Sequence, residues 1–247
     1  MTSAGATISR PEGGRQGALV DLVVWLAALA LVATSGKLLA QIAAKLGPWA
    51  WVVTVAPMAL LFLLATWMLY RRGEGWRSLG FRAPASFKRV AGLVVGGYLV
   101  LIAGNAVVVL LILPKLAVAQ PNFGAFSGLK GHPALFAFWL AFAWISAAFG
   151  EELQFRGFLW SRLQRLFGDS RGATALSLVT QAALFGLCHL YQGVGGVIAT
   201  GMAGLVLGGV YWAGKKNLIA VMILHGLIDT ISLTVLFVGL TPAALHH

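Results

Sequence analysis

The chain has 247 residues, a net charge of +11, 59% hydrophobic residues and only 10% charged ones. A water-soluble domain carries roughly 25% charged residues, so the composition excludes an ordinary soluble globular fold. The positive balance does not point to nucleic acid, because the cations sit in short clusters between long apolar runs, as they do where membrane proteins meet anionic headgroups.

In chain order, residues 1–17 are rich in Ser, Gly, Pro and Arg and read as a flexible tail ahead of a single transmembrane domain over 18–247. A span needs about 20 mostly apolar residues. Seven segments qualify: Leu19–Leu39, Trp49–Tyr70, Val90–Leu113, Ala134–Phe155, Ala173–Tyr191, Val194–Tyr211 and Leu218–Val238. The first is too long for a signal-peptide core and reads as a retained span. The runs are continuous rather than alternating, which predicts helices and not barrel strands. The expected fold is therefore an all-α polytopic transmembrane helical bundle of seven spans, or eight if a short helix pairs at one end.

The basic residues give the orientation. Arg10 and Arg15 precede the first span, and Arg71, Arg72, Arg77, Arg82, Lys88 and Arg89 fill the second connection. Arg162, Arg165 and Arg171 fill the fourth and Lys215 and Lys216 the sixth, whereas the odd connections hold only Lys45, Lys115 and Lys130. Positive charge follows the cytoplasmic side, so the amino terminus is expected inside and the carboxyl terminus outside. The segment Arg71–Arg89, with Trp76, Leu79, Phe81 and Phe87 among its cations, reads either as a stretch lying on the inner leaflet or as a plain basic loop.

Three of the seven acids, Glu151, Glu152 and Asp229, fall in apolar segments, as do His189 and His225. An ionisable group in mid-span costs about 2.5–3.5 kcal/mol on insertion scales and marks a functional site by default. Glu152 and Arg156 are four residues apart and pair along one helix face, and His225 and Asp229 share the same spacing. Glu151 lies sixteen residues before Phe167 and His189 sixteen after Ala173, so a tight turn at Gly168–Gly172 sets the two side by side at one depth. Such a cluster suits hydrolysis: a glutamate in a low-dielectric site acts as general base toward water, one histidine holds that water, and a second stabilises an oxyanion. The same groups are also metal ligands, and spacing does not choose between the two chemistries. Cys188 is a small buried apolar residue on this reading, and as the sole cysteine it forms no internal disulfide. The glycines of Gly193–Gly214 favour close helix packing, and Asn105 and Gln181 read as interhelical hydrogen-bond partners.

These residues resemble the CAAX prenyl protease type II and bacteriocin-processing (CPBP or Abi) intramembrane proteases. The Glu-Glu-Xaa-Xaa-Xaa-Arg motif is Glu151-Glu152-Leu153-Gln154-Phe155-Arg156, Phe-Xaa-Xaa-Xaa-His is Phe185 to His189, and His-Xaa-Xaa-Xaa-Asn/Asp is His225 to Asp229. The resemblance covers about 135–236 and places the active site in a cavity of the last four spans. It implies an endopeptidase in which Glu151 and His189 activate water, His225 and Asp229 stabilise the oxyanion, Glu152 and Arg156 orient the site, and Phe185 packs beside it. Prenyl-processing members carry Asn where this chain has Asp229. The glutamate mechanism needs no cofactor; the metal mechanism would place zinc on Glu151, His189 and His225. The expected partners are a peptide or membrane-protein substrate and the lipid bilayer, with no nucleic acid, in a prokaryotic inner membrane. The alternatives are a transporter or proton relay, since intramembrane acids and histidines also line ion paths, and a non-catalytic immunity or scaffold protein.

Overall fold

A computed structural model describes residues 14–46 and 51–240. Residues 1–13 of the expected tail lie outside the described residues, whereas Gly14–Gly17 form the first turn of a helix. The described elements are all helical: α1 (Gly14–Thr34), α2 (Gly36–Leu46), α3 (Trp51–Arg71), α4 (Phe87–Lys115), α5 (Pro133–Phe167), α6 (Arg171–Leu187), α7 (Leu190–Ala213) and α8 (Leu218–Val238). Six of them, α1, α3, α4, α5, α7 and α8, are long and apolar enough to cross a membrane. The chain is thus an all-α, multi-pass integral membrane protein. The expected fifth span corresponds to α6, whose 17 residues rise about 26 Å, short of the roughly 30 Å hydrocarbon core. The first apolar run is interrupted at Ser35, and its last residues begin α2.

Local chemistry sets the ends. Ser86, Ser170 and Asn217 cap α4, α6 and α8 by accepting from the backbone N–H of Arg89, Ala173 and Ile219. Gly168 (φ 97°) stops α5 and Gly239 (φ 76°) stops α8, both in the left-handed half of backbone space that a side chain disfavours.

Helix α5 lies at the centre. Leu153 and Trp160 pack with Val94, Leu207, Tyr211, Val221 and Leu224 of α4, α7 and α8. Its other flank, Phe155, Phe158 and Leu159, packs with Leu22, Trp25, Met68, Leu69 and Phe185 of α1, α3 and α6. Every residue from Glu152 to Trp160 is buried between these two clusters. Large apolar side chains elsewhere on the spans, such as Leu60, Val95, Leu99 and Leu110, face outward, the surface that lipid covers.

The basic connection between α3 and α4 is a run of turns that directs several of its apolar side chains onto the bundle. Trp76 stacks on Phe62 (5.3 Å), Phe81 packs edge-on against Phe149 (5.4 Å) and Leu79 is buried. Tyr211 donates to the Leu79 carbonyl (2.8 Å) and the Leu218 N–H to that of Gly80 (3.0 Å). Apolar aromatics found partners on the bundle, which outweighs floating at the interface; of the four, Phe87 alone is exposed.

At the same end, Asp21 accepts from Arg72 (2.6 and 2.8 Å) and from Arg162 (2.9 Å), and Glu74 accepts from Arg162 (3.0 Å) and Arg165 (2.8 and 2.7 Å). This network joins the start of α1, the end of α3 and the end of α5 on one side of the bundle, so cations from two of the clusters that set the expected orientation lie together.

Candidate active site

Helix α5 is not a regular α-helix where it carries its acids. Ala143–Glu151 and Leu153–Leu159 are wound as π-helix, a rare form that concentrates at functional sites. The wider winding changes which side chains share a face, and spacing in the sequence gives no warning of it.

Glu152 is fully buried and forms the hub. Its Oε1 accepts from Arg156 Nη1 (2.8 Å) and lies 2.7 Å from His225 Nδ1 on α8. The expected Glu152–Arg156 pair is present, and Glu152 also bonds His225, a contact between helices that local spacing does not reveal. Arg156 in turn donates to the Gly204 carbonyl of α7 (3.3 Å), and its guanidinium stands 4.4 Å above the ring of Phe185. Gln181 donates to the same Gly204 carbonyl (2.9 Å), the interhelical role expected of it. Asn105 Oδ1, by contrast, is buried with no partner among the described residues.

Phe185 lies against both histidines, with ring centroids 5.0 Å from His189 and 5.9 Å from His225, and packs edge-on against Phe155 (5.1 Å). His189 follows the end of α6, in the turn that leads into α7. Its Nδ1 is 2.8 Å from the Phe185 carbonyl. A carbonyl only accepts, so Nδ1 holds the proton and Nε2 is left with its lone pair.

Asp229, one turn beyond His225, places Oδ2 3.6 Å from His225 Nε2, an ionic contact longer than a hydrogen bond. Trp144 of α5 fixes this part of α8: its indole covers Gly226, where a Cβ would stand 2.6 Å from the ring, and its Nε1 donates to Thr230 (3.1 Å).

Glu151 closes the first π-helical stretch and differs from Glu152 in its partners. Its Oε2 is buried and engaged by no donor of the described residues, and no hydrogen bond joins it to His189. It lies within electrostatic reach of His225 and Asp229, and of Cys188 and Tyr191, which bracket His189 in the chain. The structure therefore brings together Glu152, Arg156, Phe185, His189, His225 and Asp229 through direct contacts, with Glu151 beside them rather than bonded to them.

The Gly204 carbonyl was missed by sequence reasoning, although its glycine belongs to the small-residue stripe of α7. A Cβ at Gly204 would come within 3.0 Å of the Ala182 backbone, so only glycine lets α6 and α7 approach this closely. Among the described residues no three His, Cys, Asp or Glu side chains gather as a ligand group, and Nδ1 of each histidine contacts the protein, which leaves Nε2 as the nitrogen facing the site.

The arrangement defines a class: a polytopic helical membrane protein with a buried Glu, Arg and His cluster at its centre. Residues 133–231, from the start of α5 into α8, match the family model for Type II CAAX prenyl endopeptidase Rce1-like proteins. This segment contains all seven residues of the site, and through it the chain is similar to that family. No curated protein and no solved structure matches it.

Proposed function

We propose that the protein is an intramembrane endopeptidase in which Glu151 and His189 activate the attacking water, with His225 and Asp229 stabilising the oxyanion. One observation carries the reading: Glu151 has a buried carboxylate oxygen that no donor of the described residues engages, whereas Glu152 beside it, although its own Oε2 is likewise without a donor, is tied through Oε1 to Arg156 and His225. A carboxylate so placed serves as a general base. The free Nε2 of His189 accepts a hydrogen bond from the same water and orients it. The water oxygen attacks the scissile carbonyl carbon and one of its protons passes to Glu151. The oxyanion that forms is held at His225 Nε2, whose ring Glu152 fixes through Nδ1, with Asp229 flanking that nitrogen. Collapse of the intermediate breaks the C–N bond, and Glu151 returns its proton to the leaving amine. No metal or other cofactor takes part in this scheme.

The substrate is a peptide or membrane-protein segment, and nucleic acid has no role. The amino terminus is cytoplasmic by the distribution of cations, and a prokaryotic inner membrane is the setting that fits best. Purified wild type, Glu151→Ala and His189→Ala in detergent are compared for cleavage of a peptide library, with and without a chelator. Cleavage by wild type alone, unaffected by chelator, is expected. Equal cleavage by all three, or none by folded wild type, removes the proposal.

A further inference from the structure

A cavity lies outside the candidate catalytic cluster. It is a groove of about 540 Å³ where α5 turns into α6 beside the end of α7, lined by Trp160, Asp169, Arg171, Thr174, Leu178 and Trp212 among others. Its two ends differ in depth. The apolar helices α5 and α7 finish at Phe167 and Ala213, and Asp169 and Arg171 lie in the turn after α5 and at the start of α6. Trp160 and Leu178 are each seven residues inside that end of α5 and α6, about 10 Å along the helix axes. Trp212, 60% exposed, sits at the boundary where tryptophans concentrate.

The charged mouth is unusual in having both signs free. Asp169 and Arg171 are exposed, two residues apart, and neither makes an ion pair or hydrogen bond with the described residues. They stand separately at the head of an apolar slot. In the wall of that slot, Trp160 is buried and its Nε1 donor has no acceptor.

We infer that this groove binds a zwitterionic glycerophospholipid, with its phosphate on Arg171, its cationic head on Asp169 and an acyl chain along Leu178 and Trp212. The charge pattern selects the occupant: a lipid bearing only negative charge would satisfy Arg171 and be repelled by Asp169, whereas a phosphate–ammonium pair satisfies both. The charged turn at one end of the groove and the apolar side chains of Leu178 and Trp212 along it match the two parts of an amphiphile.

The full chain in detergent is incubated with phosphatidylethanolamine, phosphatidylcholine or phosphatidylglycerol, and retained lipid is read by native mass spectrometry. The two zwitterionic lipids are expected to be retained over phosphatidylglycerol by about three- to fivefold, the size of one exposed charge contact. Asp169 is exposed, so Asp169→Lys leaves the fold intact and is expected to reverse the order in favour of phosphatidylglycerol. Equal retention of the three lipids by wild type, or an order unchanged in Asp169→Lys, overturns the inference.

Discussion

Glu152 and His225, 73 residues apart in the chain, meet at 2.7 Å inside the bundle. The contact ties α5 to α8, and because Glu152 Oε1 also accepts from Arg156, one carboxylate oxygen holds both the His225 imidazole and a fully buried guanidinium. Arg156 carries the connection on to α7 through Gly204 and to α6 through the face of Phe185. The second acid of the Glu-Glu pair is therefore a junction of four helices through Oε1, while both acids keep a buried Oε2 that no donor of the described residues engages. Two adjacent identical residues are set to different tasks by what surrounds them.

Removing Glu152 leaves Arg156 buried without its counter-charge. Breaking a buried pair from one side costs about 3–5 kcal/mol. Glu152→Ala is expected to lower thermal stability in detergent by that order and to reduce cleavage even in the fraction that stays folded, since His225 loses its anchor. Unfolding curves and per-molecule cleavage rates check both. Wild-type stability in Glu152→Ala would remove the junction role.

Glu151→Gln should behave in the opposite way. The side chain keeps its size, and no protein donor loses a partner. Stability is expected to match wild type while cleavage falls by about 10²–10⁴-fold, the usual contribution of a general base. A loss of stability like that of Glu152→Ala would mean that Glu151 is structural too.

Local spacing made part of this site legible. The Glu152–Arg156 pair and the His225–Asp229 contact follow from the four-residue repeat of a helix, and hydropathy gives seven spans, six of which are helices long and apolar enough to cross a membrane. What spacing could not supply is the partner from another helix. Glu152 has one candidate within its own turn, so nothing in the sequence singles out His225. The π-helical winding around Glu151 is equally silent, because Ala143–Gly150 is a run of small and aromatic residues that an ordinary α-helix accommodates. Trp76, Leu79 and Phe81 suggested membrane-surface residues because their cationic neighbours were visible and their bundle partners, Phe62, Tyr211 and Phe149, were not.

Asp229 stands where prenyl-processing relatives are expected to carry Asn, and its Oδ2 is 3.6 Å from His225 Nε2. An amide at this position accepts from the imidazole or donates to the oxyanion. Asp229→Asn is therefore expected to keep cleavage within about tenfold of wild type. Asp229→Leu removes both options and should lower kcat by about 10²–10³-fold, the cost of an oxyanion contact, with little change in KM. Steady-state kinetics on one peptide separates these cases, and wild-type turnover in Asp229→Leu would remove the residue from the site.

Asp21 offers a test that leaves the chemistry untouched. It is 5% exposed and accepts from both Arg72 and Arg162, whose guanidinium is itself buried and already has one unpartnered nitrogen, Nη2. In Asp21→Leu, Arg162 Nε loses its acceptor as well, and Glu74 alone is left to balance it. Stability is expected to fall by about 3–5 kcal/mol, with turnover per folded molecule unchanged because the network lies outside the catalytic cluster. A buried ion pair replaced from both sides by apolar groups is often neutral. The double variant Asp21→Leu/Arg162→Leu should therefore be more stable than Asp21→Leu alone, and Glu74 retains Arg165 in it. If the second substitution adds to the loss instead of relieving it, Arg162 stabilises the bundle through its packing on Phe158, 4.8 Å away, and not through its charge.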